Sequence, residues 1–208
     1  MGNRPTVFID GEAGTTGLQI YARLRQRDDI ELISIDPDKR KDRAERSRLI
    51  NSVDVAILCL PDSAAQEAVS FVEPGSAVKI LDASTAHRTD PDWTYGFAEL
   101  NPDQRGKIAG ACLVSNPGCY PTGFLACIRP LLVEKLLPPD FPLTVNAISG
   151  YSGGGKKLIE QYHSFHDQQN APTSLYPYGI YGLGFGHKHV KEMKQHAGLS
   201  HPPLFVPA

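Results

Sequence analysis

Apolar and polar positions alternate along the chain in blocks that read as strand, turn and helix. Thr6 to Ile9 is a short apolar run with strand character. Asp10 to Gly17 is a glycine-rich turn, and Leu18 to Arg27 places Leu18, Tyr21 and Leu24 at helical spacing. Ile30 to Ile35 is a second strand ending at Asp36-Pro37, followed by a charged helix over Arg40 to Ile50. Val53 to Leu60 is continuously apolar, the signature of a strand buried on both faces. Ser63 to Val72 reads as a helix with Ser63 as its N-cap. Ala77 to Leu81 and Lys107 to Val114 are further predicted strands. Alternation of this kind predicts an α/β fold, a Rossmann-type, doubly wound parallel sheet.

Beyond residue 118 the texture changes. A helix-like run covers Phe124 to Arg129, and Leu143 to Ile148 is a strand leading into Ser149-Gly150-Tyr151-Ser152-Gly153-Gly154-Gly155. A polar helix follows over Lys157 to Asp167, then an aromatic and glycine stretch from Tyr176 to Gly186. His187 to His196 starts another helix, and Leu204-Phe205-Val206 begins a strand. We place a domain boundary near residue 118, giving 1–118 as a nucleotide-binding domain and 119–208 as a catalytic domain.

Composition narrows the function classes. The 208 residues carry a formal net charge of −2 with no long basic block, so bulk electrostatics favours neither nucleic acid nor an anionic membrane as partner. Cys59, Cys112, Cys119 and Cys127 show neither C-x-x-C pairing nor zinc-finger spacing. Free thiols of this kind fit a reducing cytoplasm. The N-terminus runs straight into a strand without a signal-peptide pattern, and no apolar stretch reaches membrane-spanning length.

Two motifs carry chemistry. Gly11, Gly14 and Gly17 follow a strand and open a helix. Glycines there allow a tight turn and a close approach of phosphate to the backbone, with the helix N-terminus receiving the negative charge. The alternative is a plain strand–helix turn. Asp36 stands where an acidic residue binds a ribose 2′-hydroxyl, whereas Lys39, Arg40, Lys41 and Arg43 suit a 2′-phosphate; the two signals conflict. The second motif is Ser115-Asn116-Pro117-Gly118-Cys119-Tyr120-Pro121. It puts Cys119 at a strand-to-helix turn, where unpaired N–H groups and the helix dipole favour thiolate. Pro121 fits the first helical turn. Cys119 is therefore a candidate nucleophile for acyl chemistry, against the alternative of a small buried hydrophobe.

Taken together, these segments resemble one family. The Gly11-Glu12-Ala13-Gly14-Thr15-Thr16-Gly17 loop, Asp82-Ala83-Ser84-Thr85-Ala86-His87-Arg88, the Cys119 turn, Ser149 to Gly155 and Gly186-His187-Lys188-His189 are similar, in order and across the chain, to N-acetyl-gamma-glutamyl-phosphate reductases of the shorter, second type. The resemblance implies an incomplete α+β substrate domain of the semialdehyde-dehydrogenase type after the nucleotide domain. It implies NADPH-dependent reduction of N-acetyl-glutamyl 5-phosphate to the 5-semialdehyde in arginine biosynthesis, through a cysteinyl thioester. Cys119 would be the nucleophile, His189 the acid/base and His187 an orienting group. Arg88, Ser84 and Asn116 would bind substrate. Gly11, Gly14, Thr15, Thr16, Gly17, Arg40, Ser84, Gly150, Ser152 and Gly153 would hold NADP(H). The competing reading of the histidines is a metal site joined by His163 and His166, disfavoured by the lack of acidic ligands nearby. Family members continue past the point where this sequence stops, and they form homo-oligomers. Competing expectations are a related semialdehyde dehydrogenase, or an inactive, poorly stable fragment that at most binds NADP(H).

Overall fold

The computed structural model describes residues 4–167 and 179–208. The chain divides into two compact units, Met1–Gly118 and Cys119–Ala208.

The first unit is built on a six-stranded sheet in which every pairing is parallel. Its strands are β1 (Thr6–Asp10), β2 (Glu31–Ile33), β3 (Val55–Leu58), β4 (Lys79–Asp82), β5 (Thr94–Tyr95) and β6 (Leu113–Ser115), in the order β2-β1-β3-β4-β6-β5. Helices α1 (Thr15–Leu24), α2 (Arg43–Ser52), α3 (Asp62–Val69) and α4 (Gln104–Gly110) connect them. Successive side chains of β1 go to opposite faces, as a strand requires. Phe8 joins Leu49, Ile50, Ala65, Ala68 and Ile80 in one core cluster, whereas Val7 and Ile9 pack with Ile57, Ile20, Tyr21 and Leu24 on the other face. Helices therefore cover both faces, which is the doubly wound α/β arrangement. Strand order reverses between β1 and β3, and in such sheets ligands bind beyond the carboxyl ends of the strands at that switch point.

Several expected elements shift. The predicted strand over Lys107 to Val114 is instead the end of α4 followed by the three-residue β6. Tertiary contacts override the apolar run: the buried Gln104 amide donates to Tyr95 O, fixing the helix start against β5. Ser63 lies inside α3, whose N-cap is Pro61. Helix α1 starts at Thr15, so Gly17 sits within its first turn. Helix α2 starts at Arg43 because Asp42 caps it, its carboxylate accepting from Ala44 N–H at 2.9 Å and Glu45 N–H at 3.1 Å.

The second unit contains α5 (Cys119–Val133), β7 (Thr144–Ala147), α6 (Gly155–Asp167), α7 (His189–Ala197) and β8 (Leu204–Pro207). A 3₁₀ turn over Tyr151–Gly154 precedes α6. Strands β7 and β8 pair in parallel, Thr144 opposite Leu204 and Ala147 opposite Pro207. Helices α5 and α7 run in the same direction. Tyr120 at the start of α5 meets His189 at the start of α7, while Arg129 further along donates from Nη1 to Ala197 O (2.9 Å) at the end of α7. Gly198 closes α7 in the left-handed region (φ 83°), which an L side chain adopts only under strain. Phe124, Leu125, Val190, Met193, Ala197 and Phe205 are buried apolar side chains of this unit. Among the described residues, no helix is long and apolar enough to cross a membrane.

Candidate active site

In the first unit the glycine turn is a backbone device. Gly11 has φ +87°, and a Cβ there would lie 2.3 Å from Cys59 O. A Cβ on Gly17 would lie 2.3 Å from Gly11 O and 2.8 Å from Glu12 Cα. The turn is held by Gly14 N–H donating to Gly11 O at 2.9 Å. Thr15, Thr16 and Gly17 form the first turn of α1, whose N–H groups have no partners within the helix. Beside this turn lies a cavity of about 330 Å³ lined by Asp10, Gly11, Glu12, Ala13, Ile35, Arg40, Lys41, Arg46, Leu60 and Ala64. It sits at the β1/β3 switch point, and a glycine cradle beside a helix N-terminus there fits a dinucleotide.

Charge around the cavity is arranged in two tiers. Arg46 is buried; its Nε and Nη2 donate to Asp10 Oδ2 at 3.0 and 2.9 Å, and its Nη1 donates to Glu67 at 3.0 Å. Its guanidinium also lies 5.3 Å from the Phe71 ring centroid. That pair is structural and escapes the sequence reading, because Arg46 sits in a helix that reads as a solvated charged face while Asp10 ends β1. Arg40 is less confined and lies 4.0 Å from Glu12, whose carboxylate also accepts from the Ser34 hydroxyl at 3.0 Å. Asp36 accepts from Asp38 N–H at 3.0 Å and caps a short 3₁₀ turn over Pro37–Lys39. One of its carboxylate oxygens is thus engaged in the turn, and the other is not used by it. The Cys59 thiol is pushed up to about 11, by burial first and then by Asp82 and Asp10.

The Asp82 turn is a second network of this unit. Asp82 is fully buried; it accepts from Ser84 N–H (2.9 Å) and Ser84 Oγ (2.6 Å), and its Oδ2 lies 2.7 Å from His87 Nδ1. His87 stacks on Trp93 at 4.1 Å between centroids. Arg88 is buried and donates from Nη2 to Ala83 O at 2.9 Å. Asn116 N–H donates to Asp82 O at 2.7 Å, and its side-chain amide donates to Pro117 O at 3.2 Å. The structure thus brings Ser84, Arg88 and Asn116 to one turn, where Ser84 is tied to Asp82.

In the second unit Cys119 is exposed and is the first residue of α5. The parallel course of α5 and α7 brings two positive helix ends to the same side of the unit. His187 and His189 lie there with ring centroids 4.7 Å apart. His189 is buried; His187 is half-buried, and its Nδ1 accepts from His189 N–H at 3.2 Å. That bond places the proton of a neutral His187 on Nε2. Burial first, and then the charge of Lys188, hold the His187 pKa below its ordinary value. Tyr120, which the sequence reading did not assign, stands between these groups. Its ring contacts His187, His189 and Phe205, and its hydroxyl reaches Ser149 Oγ (2.7 Å) and Tyr181 Oη (2.8 Å). Its position directly after Cys119 was the available signal.

Gly150, Ser152 and Gly153 follow Ser149, with Gly153 N–H donating to Gly150 O at 3.0 Å. His163 lies 3.4 Å from Tyr151 Oη, an arrangement separate from the His187–His189 pair. Of the Tyr176 to Gly182 stretch, Tyr176 to Tyr178 lie outside the described residues, as does the His166 side chain. Among the described residues no group of three His, Cys, Asp or Glu side chains is placed to hold a metal ion.

A parallel nucleotide-binding sheet followed by a unit that opens on a cysteine defines a class, and comparison with known families agrees. Residues 39–108 match the semialdehyde dehydrogenase NAD binding domain, and residues 119–208 match the semialdehyde dehydrogenase dimerisation domain. The chain belongs to the semialdehyde dehydrogenase family. Within it, the sequence is 71% identical over 206 residues to the N-acetyl-gamma-glutamyl-phosphate reductase of Trichormus variabilis, covering 99% of this chain and 64% of that protein. It is 53% identical over 204 residues to the enzyme of the same name from Burkholderia cenocepacia, covering 98% of this chain and 64% of the relative. The chain therefore spans a little under two thirds of the length of these curated relatives. The fold also matches aspartate semialdehyde dehydrogenase II of Vibrio cholerae, solved as a complex with ASA (TM-score 0.66, 14% identity, all of this chain and 71% of that one). The enzyme from Francisella tularensis gives TM-score 0.66 at 17% identity, covering 98% and 72%.

Proposed function

We propose that the chain supplies the nucleotide-binding and cysteine-bearing parts of an N-acetyl-gamma-glutamyl-phosphate reductase. The reaction is NADPH-dependent reduction of N-acetyl-L-glutamyl 5-phosphate to N-acetyl-L-glutamate 5-semialdehyde, in arginine biosynthesis. The observation that carries the reading is Cys119 at the first position of α5, in the unit whose parallel helix α7 starts at His189, with His187 beside it. Identity of 71% to a named reductase supports the choice of substrate.

The chemistry follows from the groups present. The Cys119 thiolate attacks the acyl carbon; a C–S bond forms, the C–O bond to phosphate breaks, and phosphate leaves with the electron pair. A protonated imidazole, assigned to His189, donates the proton that the departing phosphate takes up. His187, neutral by burial, presents its Nε2–H to a substrate oxygen and orients the acyl group. Bound NADPH would supply the hydride that converts the thioester to the aldehyde level. The C–S bond then breaks, the aldehyde leaves, and Cys119 returns as thiolate. Gly11, Gly14, Thr15, Thr16 and Gly17 would hold the pyrophosphate through the backbone, with Arg40 facing the 2′-phosphate. Arg88, Ser84 and Asn116 are assigned to substrate phosphate, and Gly150, Ser152 and Gly153 to the cofactor.

The match to a dimerisation domain supports a homo-oligomer. The four free cysteines support a reducing cytoplasm. The test is NADP⁺ reduction with N-acetyl-glutamate semialdehyde and phosphate, followed by absorbance, for the chain and its Cys119→Ala variant. Phosphate-dependent turnover that disappears in the variant is the expected result. NADP⁺ binding with no Cys119-dependent turnover would overturn the reading and leave a nucleotide-binding module.

A further inference from the structure

Tyr120 touches both imidazoles with its ring and two hydroxyls with its own, yet nothing in the reaction outlined above uses it. It is the residue directly after Cys119, in the first turn of α5. Its ring meets His189 edge-on at 5.8 Å between centroids and His187 at 6.1 Å, and it meets Phe205 of β8 at 5.0 Å. His187 in turn rests on Phe205 at 5.1 Å and Tyr181 at 5.9 Å. An aromatic ring lying against both imidazoles restricts how either can rotate, and edge-to-face contacts have preferred geometry.

The hydroxyl fixes the ring from its far end. It bonds to Ser149 Oγ at 2.7 Å and Tyr181 Oη at 2.8 Å. Ser149 N–H donates to Ala208 O and Tyr181 N–H donates to Pro207 O, so both partners are anchored to the end of the β7–β8 pair. The start of α5 is thereby tied to that sheet through one phenol.

We propose that Tyr120 is the positioning residue of the cysteine–histidine site, its ring setting the orientation of both imidazoles relative to the thiol one residue earlier. The inference rests on the reading of Cys119 as nucleophile, but it concerns how the thiol is tuned and not which acyl group it attacks. The ring sets the imidazoles and the hydroxyl keeps the ring in register, so the two contributions separate in variants. Tyr120→Phe keeps the ring; Tyr120→Leu removes it.

The experiment is alkylation of the 208-residue chain by iodoacetamide at neutral pH. Modification of Cys119 is quantified by peptide mass spectrometry against the exposed Cys112 and Cys127 as internal references. In Tyr120→Leu the Cys119 rate is expected to fall about tenfold relative to the two reference thiols, because the imidazoles are no longer held in one orientation beside it. Tyr120→Phe is expected to restore the rate. A wild-type rate in Tyr120→Leu overturns the proposal, as does an equal loss in both variants. Should Tyr120→Leu fail to fold, Tyr120→Met, which keeps bulk without an aromatic ring, carries the same comparison. Alkylation needs neither substrate nor cofactor, so absence of reductase turnover leaves this test intact. Conversely, Cys119-dependent turnover alongside an unchanged alkylation rate in Tyr120→Leu would remove the positioning role and leave the reductase reading standing.

Discussion

The two units build their candidate sites in opposite ways. In the first, the glycine turn is made of backbone, and two of its glycines leave no space for a single added carbon. Beneath it, Arg46 is locked in a buried ion pair with Asp10 and a half-buried one with Glu67. In the second, the site consists of side chains on two helix ends, with rings 4.7 to 6.1 Å apart and an exposed thiol. The first site tolerates almost no change of shape but asks little of side-chain chemistry. The second depends on which side chains are present and how they are turned, while Gly150 and Gly153 meet nothing closer than ordinary van der Waals contact.

Glycine substitutions probe this contrast most strongly. Gly17→Ala puts a Cβ 2.3 Å from Gly11 O, against backbone that cannot yield. NADP⁺ affinity measured by fluorescence titration is expected to fall about a hundredfold or more, a loss near 2.7 kcal/mol. Gly153→Ala meets only Ser149 Oγ at 3.8 Å, so its effect is expected to stay within about threefold. Equal losses in the two variants would erase the distinction. Next in size is Arg46→Met, which strands Asp10 as a buried carboxylate without its partner. Urea denaturation is expected to show a loss of about 3–5 kcal/mol, whereas a stability within 1 kcal/mol or so of wild type would mean the pair is replaceable. The smallest effect concerns pH. His187 has a depressed pKa in the folded state, so the folded protein resists its protonation. The corresponding stability is fully present above the unfolded histidine value of about 6.5 and is lost as pH falls towards the folded value. His187→Gln is expected to flatten that part of the stability–pH curve, as followed by thermal melting. An unchanged acid limb would show that His187 titrates normally.

The same contrast explains what could be read from sequence. Apolar runs gave β1, β3 and β4 because strands buried on both faces need little context, and Gly11 and Gly17 stand out as residue types that only a tight turn requires. Cys119 was legible from Pro117-Gly118 before it and Pro121 after it. The two-residue β5 and the helix Gln104–Gly110 were not, since they depend on Gln104 reaching the backbone of Tyr95. Arg46 reads like its neighbours Arg43 and Arg48 and is distinguished only by Asp10, which is 36 residues away. The commitment of Ser84 to Asp82 and the parallel course of α5 and α7 are likewise long-range or geometric facts, invisible to periodicity.

The pairing of β7 with β8 also has a consequence during synthesis. Its partners Thr144 and Leu204 are 60 positions apart. At about 5–20 residues per second, the ribosome delivers the second strand roughly 3–12 s after the first. The first unit contains all of its own sheet partners and completes its pairing from earlier-emerging chain. For those seconds β7 stands with its hydrogen-bonding edge open, the interval in which a nascent chain of this design is most exposed to wrong strand partners and most in need of a chaperone.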